Sequence, residues 1–141
     1  MQPHPGNPIR IVCIDDDASV LAAFQVILQI EHGFEVVGVC RNCTDGKRII
    51  DQAKPDLVTL DYQMPGISGL AYLRSEFGAG HPPVVMVSAA SGSPLEGQCR
   101  EAGAVDFFVK HELRIAGPKA ELFRTRLRQA LAGARIRAVR V

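Results

Sequence analysis

Five short apolar runs, separated by amphipathic segments, constrain this chain more than any other feature. The runs are Ile9–Ile14, Phe34–Cys40 and residues 56–60, 83–87 and 105–109. Each is short and dominated by Val, Ile, Leu or Phe, as strands buried on both faces are. Between them lie segments of helical spacing. Residues 18–30 carry Val20, Leu21, Phe24, Ile27 and Leu28 on one side. Thr44 or Asp45 is placed to cap a helix through Ala53 that ends before Pro55. A short helix is expected over 69–77. Pro94 suits the first position of a fourth helix to about Ala102, stopped by Gly103. Residues 119–131 carry Leu122, Phe123, Leu127, Ala130 and Leu131 as an apolar stripe. Five strands alternating with five helices predict an α/β fold, a doubly wound parallel sheet with helices on both faces and right-handed crossovers.

Length and composition narrow the class. The 141 residues suit one domain, expected over 9–132, with a flexible leader at 1–8 and a basic tail or linker stub at 133–141. An apolar content of 47% excludes a wholly disordered chain. No apolar run approaches the roughly 18 residues of a membrane helix, so no membrane partner is expected. The prolines of residues 1–8 do not suit a signal peptide. The four cysteines then read as reduced thiols in a cytoplasm. The net charge of +1 hides a split: residues 114–141 hold eight basic residues against Glu121 alone, while 1–113 hold eight basic and fourteen acidic residues.

In doubly wound sheets, ligands bind beyond the carboxyl ends of the strands. The residues at those ends are Asp15, Asp16 and Asp17 after the first strand, Asp61 after the third, Ser88 after the fourth and Lys110 after the fifth. Carboxylates about 4 Å apart repel by about 4 kcal/mol per pair at an effective dielectric near 20. A cation or protons must relieve that, and a few hard oxygen ligands suit Mg²⁺. A metal, an ammonium and a hydroxyl around a carboxylate supply the positioning and charge stabilisation that phosphoryl transfer needs. An aspartate can itself accept the group as an acyl phosphate.

The chain resembles a response-regulator receiver domain of the CheY-like family. The matching residues are Ile14-Asp15-Asp16, Leu60-Asp61-Tyr62-Gln63-Met64-Pro65, Gly69, Val87-Ser88-Ala89 and Phe107-Phe108-Val109-Lys110. The resemblance implies the flavodoxin-like strand order 2-1-3-4-5. CheY itself exemplifies that order, so it follows from the resemblance and not from the alternation alone. It further implies that Asp61 accepts a phosphoryl group from a sensor histidine kinase. Asp15, Asp16 and Asp61, with the backbone carbonyl of Gln63, would hold Mg²⁺. Ser88 and Lys110 would bind the phosphoryl oxygens, and Phe107 would be the switch aromatic that turns inward when Ser88 moves. Asp17 matches no ligand and reads as a helix cap. Gly69 is expected to permit a close approach where the third helix begins. The family follows its lysine with proline; here His111 stands there, and the segment from 111 to 118 is longer than usual.

Phrases such as Asp56-Leu57-Val58-Thr59-Leu60-Asp61 look like the receiver of the chemotaxis methylesterase CheB. The chain has no Gly-x-Ser-x-Gly elbow. The reading is thus a stand-alone signalling receiver, not an enzyme beyond self-phosphorylation from phosphodonors and autodephosphorylation. The alternative is the receiver part of a methylesterase-type regulator lacking its effector domain. The expected partners are a sensor histidine kinase and a downstream protein such as a flagellar motor or chemotaxis component.

Three rival features have separate readings. Asp15-x-Asp17 resembles the first motif of haloacid-dehalogenase-type phosphatases, with Asp15 as nucleophile, but leaves Asp61 and Met64-Pro65 unexplained. Cys40-x-x-Cys43 is half a zinc site, more simply read as small residues around a strand end. The basic end reads as a solvated helix face plus a linker stub, with a docking surface second. No nucleic acid is expected, since the patch lacks aromatic interleaving and a binding fold.

Overall fold

The computed structural model describes residues 7–78, 80–89, 93–110 and 117–140, and of Ser93 and residues 137–140 the backbone alone. Five strands, β1 (Ile9–Ile14), β2 (Phe34–Cys40), β3 (Leu57–Asp61), β4 (Val84–Ser88) and β5 (Asp106–Val109), form one parallel sheet in the order β2-β1-β3-β4-β5. The helices are α1 (Ala18–Ile27), α2 (Cys43–Ala53), α3 (Gly69–Glu76), α4 (Ser93–Glu101) and α5 (Pro118–Arg140). This is the expected flavodoxin-like order. Among the described residues no helix is long and apolar enough to cross a membrane.

The sheet is buried on both faces because its strands carry apolar residues at both parities. Ile11, Cys13, Leu57, Val85, Val87 and Phe108 point to one face, where Leu21, Phe24 and Ile27 of α1 and Phe123, Leu127 and Leu131 of α5 meet them. Val12, Ile14, Val58, Leu60, Val84, Met86 and Phe107 point to the other, covered from α2, α3 and α4 by Ile50, Leu70, Leu73 and Cys99. β3 and β4 are buried along their whole length. Polar residues at their last positions, Asp61 and Ser88, are therefore buried with them.

Three boundaries differ clearly from expectation. The first helix, expected to residue 30, stops at Ile27, and Ile30–His32 forms a separate 3-10 turn. The cap of α2 is Asn42, neither Thr44 nor Asp45: its extended backbone turns the side chain to accept the Asp45 N–H at 2.8 Å, while its amide donates to the Asp45 carboxylate at 3.0 Å. The first bond satisfies one helix-start donor, the Asp45 N–H, and the second locks the two side chains together. The last helix does not end near Leu131 but runs to Arg140, through most of the expected tail. Gly133 is tolerated because Ala132 and Ala134 flank it, alanine being the best helix former. Arg135 reaches back to Asp56, 3.7 Å away. The leader up to residue 6, the segment 111–116 and the Lys110–His111 bond lie outside the described residues.

Candidate functional site

The register of the sheet assembles the acid set. Ile14 pairs with Leu60, Asp61 with Val87 and Ser88 with Val109, so Asp15, Asp61, Ser88 and Lys110 all stand at one edge. Asp15 (1% exposed), Asp61 (3%) and Ser88 (2%) are buried. Asp16 is half-buried. Asp15, Asp16 and Asp61 each offer a carboxylate oxygen within 4.8 Å of the others. Gln63 lies in the loop after β3 with its side chain exposed, which leaves its backbone as the part relevant to a site.

The Lys110 ammonium enters this pocket from the end of β5. It lies 2.8 Å from Asp15 Oδ2 and 3.1 Å from Asp61 Oδ1. Burial alone would lower its pKa, but the two carboxylates together outweigh that and hold it above the ordinary lysine value. Asp61 moves the other way from most carboxylates. Burial, then the neighbouring Asp15 charge, pushes it up to about 6, and Lys110 offsets only part of that rise. Lys110 pairs with two of the three clustered acids, and the cluster remains short of positive charge.

Asp15 is held through both of its carboxylate oxygens. Its Oδ1 accepts the Asp17 N–H at 2.9 Å. Its Oδ2, also buried, faces the Lys110 ammonium at 2.8 Å. Hard carboxylate oxygens from the ends of two strands, all within 4.8 Å of one another and short of positive charge, make a donor set that fits Mg²⁺.

Asp17 is outside the cluster. It is exposed and caps α1, its Oδ1 accepting from Ser19 N at 2.9 Å and Ser19 Oγ at 2.6 Å. The second acid of a dehalogenase-type pair is thus occupied at a helix start, which counts against Asp15 as that type of nucleophile. Gly69 fulfils its expected role: a Cβ there would collide with the Asp61 carbonyl oxygen, and its N–H bonds Tyr62 O at 2.8 Å. Phe107 is already inward, 6% exposed. Cys40 and Cys43 are buried free thiols, and burial pushes Cys43 up to about 11. Among the described residues neither joins a group of three potential ligands.

The basic end needs correction. Arg124 of α5 is buried, 8% exposed, and donates to Ile27 O at the end of α1 at 3.1 Å. Arg128 donates to His32 O at 2.8 Å and lies over the Phe34 ring. Arg126 pairs with Asp106 and lies 4.1 Å over the Phe108 ring. These arginines tie α5 to the body of the domain and are not a solvated face. Glu121 of the same helix also accepts from Arg124 at 2.7 Å, but the even spacing carried no sign of the ties across elements, whose acceptors are backbone carbonyls and an acid elsewhere in the chain. Sequence reasoning also missed Arg41, whose Nε and terminal nitrogen donate to Asp16 O at 3.2 and 2.9 Å.

A doubly wound α/β domain that gathers three carboxylates, a hydroxyl and an ammonium at the carboxyl edge of its sheet defines a narrow class of acidic-pocket proteins. The sequence model of the response regulator receiver domain matches residues 11–115, and the chain belongs to that family. A protein-glutamate methylesterase/protein-glutamine glutaminase of Ralstonia nicotianae is 36% identical over 107 residues, covering 74% of this chain and 28% of that protein. One from Rhodospirillum rubrum is 33% identical over 138 residues, 93% of this chain and 37% of that protein. The chain therefore spans roughly a third of these relatives, and it is homologous to their receiver part. Among solved structures, the response regulator domain of Thermotoga maritima CheB superposes with a TM-score of 0.74 at 24% identity, over 89% of this chain and 97% of that one. A chain of the CheX–CheY–BeF3–Mg²⁺ complex from Borrelia burgdorferi does so with a TM-score of 0.64 at 27% identity, over 84% and 87%.

Proposed function

We propose that this receiver is a Mg²⁺-dependent phospho-acceptor switch, with Asp61 as the acceptor. The observation that carries the reading is the Lys110 ammonium set between Asp15 and Asp61 in a pocket of three carboxylates. Asp61 is ionised above about pH 6, so it is a nucleophile at neutral pH. A carboxylate oxygen of Asp61 attacks the phosphorus of a kinase phosphohistidine. The P–N bond breaks, the imidazole leaves with its electron pair, and an acyl phosphate remains. Lys110 transfers its pairing from Asp61 to a phosphoryl oxygen, and the Ser88 hydroxyl donates to another. Asp15, Asp16, Asp61 and the Gln63 carbonyl would hold Mg²⁺, which supplies the positive charge that draws phosphoryl oxygens into an acidic pocket. Water later attacks the phosphorus, releases inorganic phosphate and restores the Asp61 carboxylate.

The movement of Ser88 and Lys110 toward the phosphoryl group biases the α4–β5–α5 surface, the output end. The phosphodonor partner is a sensor histidine kinase, the setting is the cytoplasm, and the receiver unit, expected over residues 9–132, takes in the rest of α5 to Arg140. The relatives favour a chemotaxis setting, with the receiver part of a methylesterase-type regulator as the second reading. Acetyl phosphate with Mg²⁺ is expected to add one phosphoryl group by intact mass, and Asp61→Asn to abolish the adduct. Undiminished labelling of that variant sinks the assignment.

A further inference from the structure

Of the charged groups around the acid pocket, one does not pair with an acid. Lys110 engages Asp15 and Asp61 but not Asp16. Arg41 stands next to Asp16, yet among the described residues it makes no ion pair with any carboxylate. Its planar guanidinium instead directs two N–H groups at the Asp16 carbonyl oxygen, at 3.2 and 2.9 Å. The sheet brings it there: Ile14 pairs with Cys40, and Asp15 N bonds Cys40 O at 3.0 Å, one residue before Arg41. The β1–α1 loop is thus held at each of its three acids. Asp15 takes a backbone N–H, Asp17 caps α1, and Asp16 is held through its backbone while its carboxylate lies within 4.8 Å of those of Asp15 and Asp61.

We infer that Arg41 is a positioning residue for the metal site, fixing the backbone of Asp16 so that its carboxylate is presented to a divalent cation. This rests on the reading of the pocket as a Mg²⁺ site. Two effects of Arg41 oppose each other, which makes the sign of the outcome decisive. As a bare positive charge, Arg41 repels a cation, and its removal strengthens binding. As a support for Asp16, it preorganises a ligand, and its removal weakens binding, as loss of outer-shell partners does at metal sites. A fork onto the Asp16 carbonyl, with the Asp16 carboxylate kept in the acid cluster and not on the guanidinium, is the arrangement of a support.

The test is Mg²⁺ titration by calorimetry of the metal-free chain and its Arg41→Ala and Arg41→Lys variants, with melting curves recorded alongside. Arg41→Ala is expected to raise the Mg²⁺ dissociation constant roughly tenfold. Arg41→Lys keeps the charge and one donor, and is expected to recover most of that loss. Since Arg41 is exposed, both variants are expected to melt near the parent. Unchanged or tighter Mg²⁺ binding by Arg41→Ala overturns the inference while leaving the pocket reading intact. Absence of Mg²⁺ binding by the parent chain removes the pocket reading, and this inference with it.

Discussion

The Lys110 ammonium lies 2.8 Å from Asp15 Oδ2, nearer than it lies to Asp61. The lysine is therefore held most closely by an acid other than the proposed acceptor. In the proposed reaction it gives up Asp61 for a phosphoryl oxygen while keeping its place at the edge of the sheet.

The first prediction concerns that pair. Lys110→Met leaves buried carboxylates without their cation, a change that costs about 3 kcal/mol in comparable sites. Urea denaturation of the metal-free protein at pH 7.5 should show a loss of this order, reduced when Mg²⁺ is added. Equal stability of variant and parent would contradict the charge balance described above.

The raised pKa of Asp61 sets a pH signature. Its value rises from 3.8 to about 6 in the folded chain, so folding favours the protonated acid. The associated stability is complete below about pH 3.8 and is lost as pH rises through about 6. In EDTA at pH 7.5, Asp61→Asn is then expected to be more stable than the parent by about 1–3 kcal/mol. The difference should shrink as the pH is lowered from 7 toward 4. A variant less stable than the parent throughout that range would refute this.

Gly69 and Gly66 separate steric from conformational cost. A Cβ at Gly69 meets the Asp61 carbonyl, so Gly69→Ala should destabilise by about 1–3 kcal/mol and slow acetyl-phosphate labelling by displacing the acceptor. Gly66 has φ +81 with nothing within 4 Å, so Gly66→Ala should cost about 1 kcal/mol through backbone strain and leave labelling near the parent rate. Labelling time courses of the two purified variants decide it.

Arg124 should behave as a core residue despite its charge. Arg124→Met removes the donor to Ile27 O at the end of α1, and is expected to cost about 1–3 kcal/mol in chemical denaturation. Lys119→Met, on an exposed position of the same helix, should change stability by less than about 0.5 kcal/mol. Equal effects of the two substitutions would return Arg124 to the surface.

Much of this was legible in the chain itself. Strand identity followed from short runs apolar at both parities, since a strand covered on both faces has no polar side to show. The Asp17 cap and the close approach at Gly69 were legible because each depends on local chemistry. The start of α2 and the end of α5 were misjudged for related reasons. Asn42 outcompetes Thr44 and Asp45 through a reciprocal bond with Asp45, and Gly133 is carried by alanine neighbours and by the reach of Arg135 to Asp56.

By itself, the sequence determined which residues stand at the strand ends, because apolar runs stop where Asp15, Asp61, Ser88 and Lys110 begin. Tertiary structure decided which of those groups meet, and at what distance. Strand order and register bring β1, β3 and β5 together, so Lys110 reaches Asp15 and Asp61 while Arg41 reaches Asp16 from β2. The same holds for the basic end: Arg124, Arg126 and Arg128 are one charged stripe when read in line. The structure distributes them to Ile27, Asp106 and His32, because a long guanidinium finds its acceptor across elements that only packing makes neighbours.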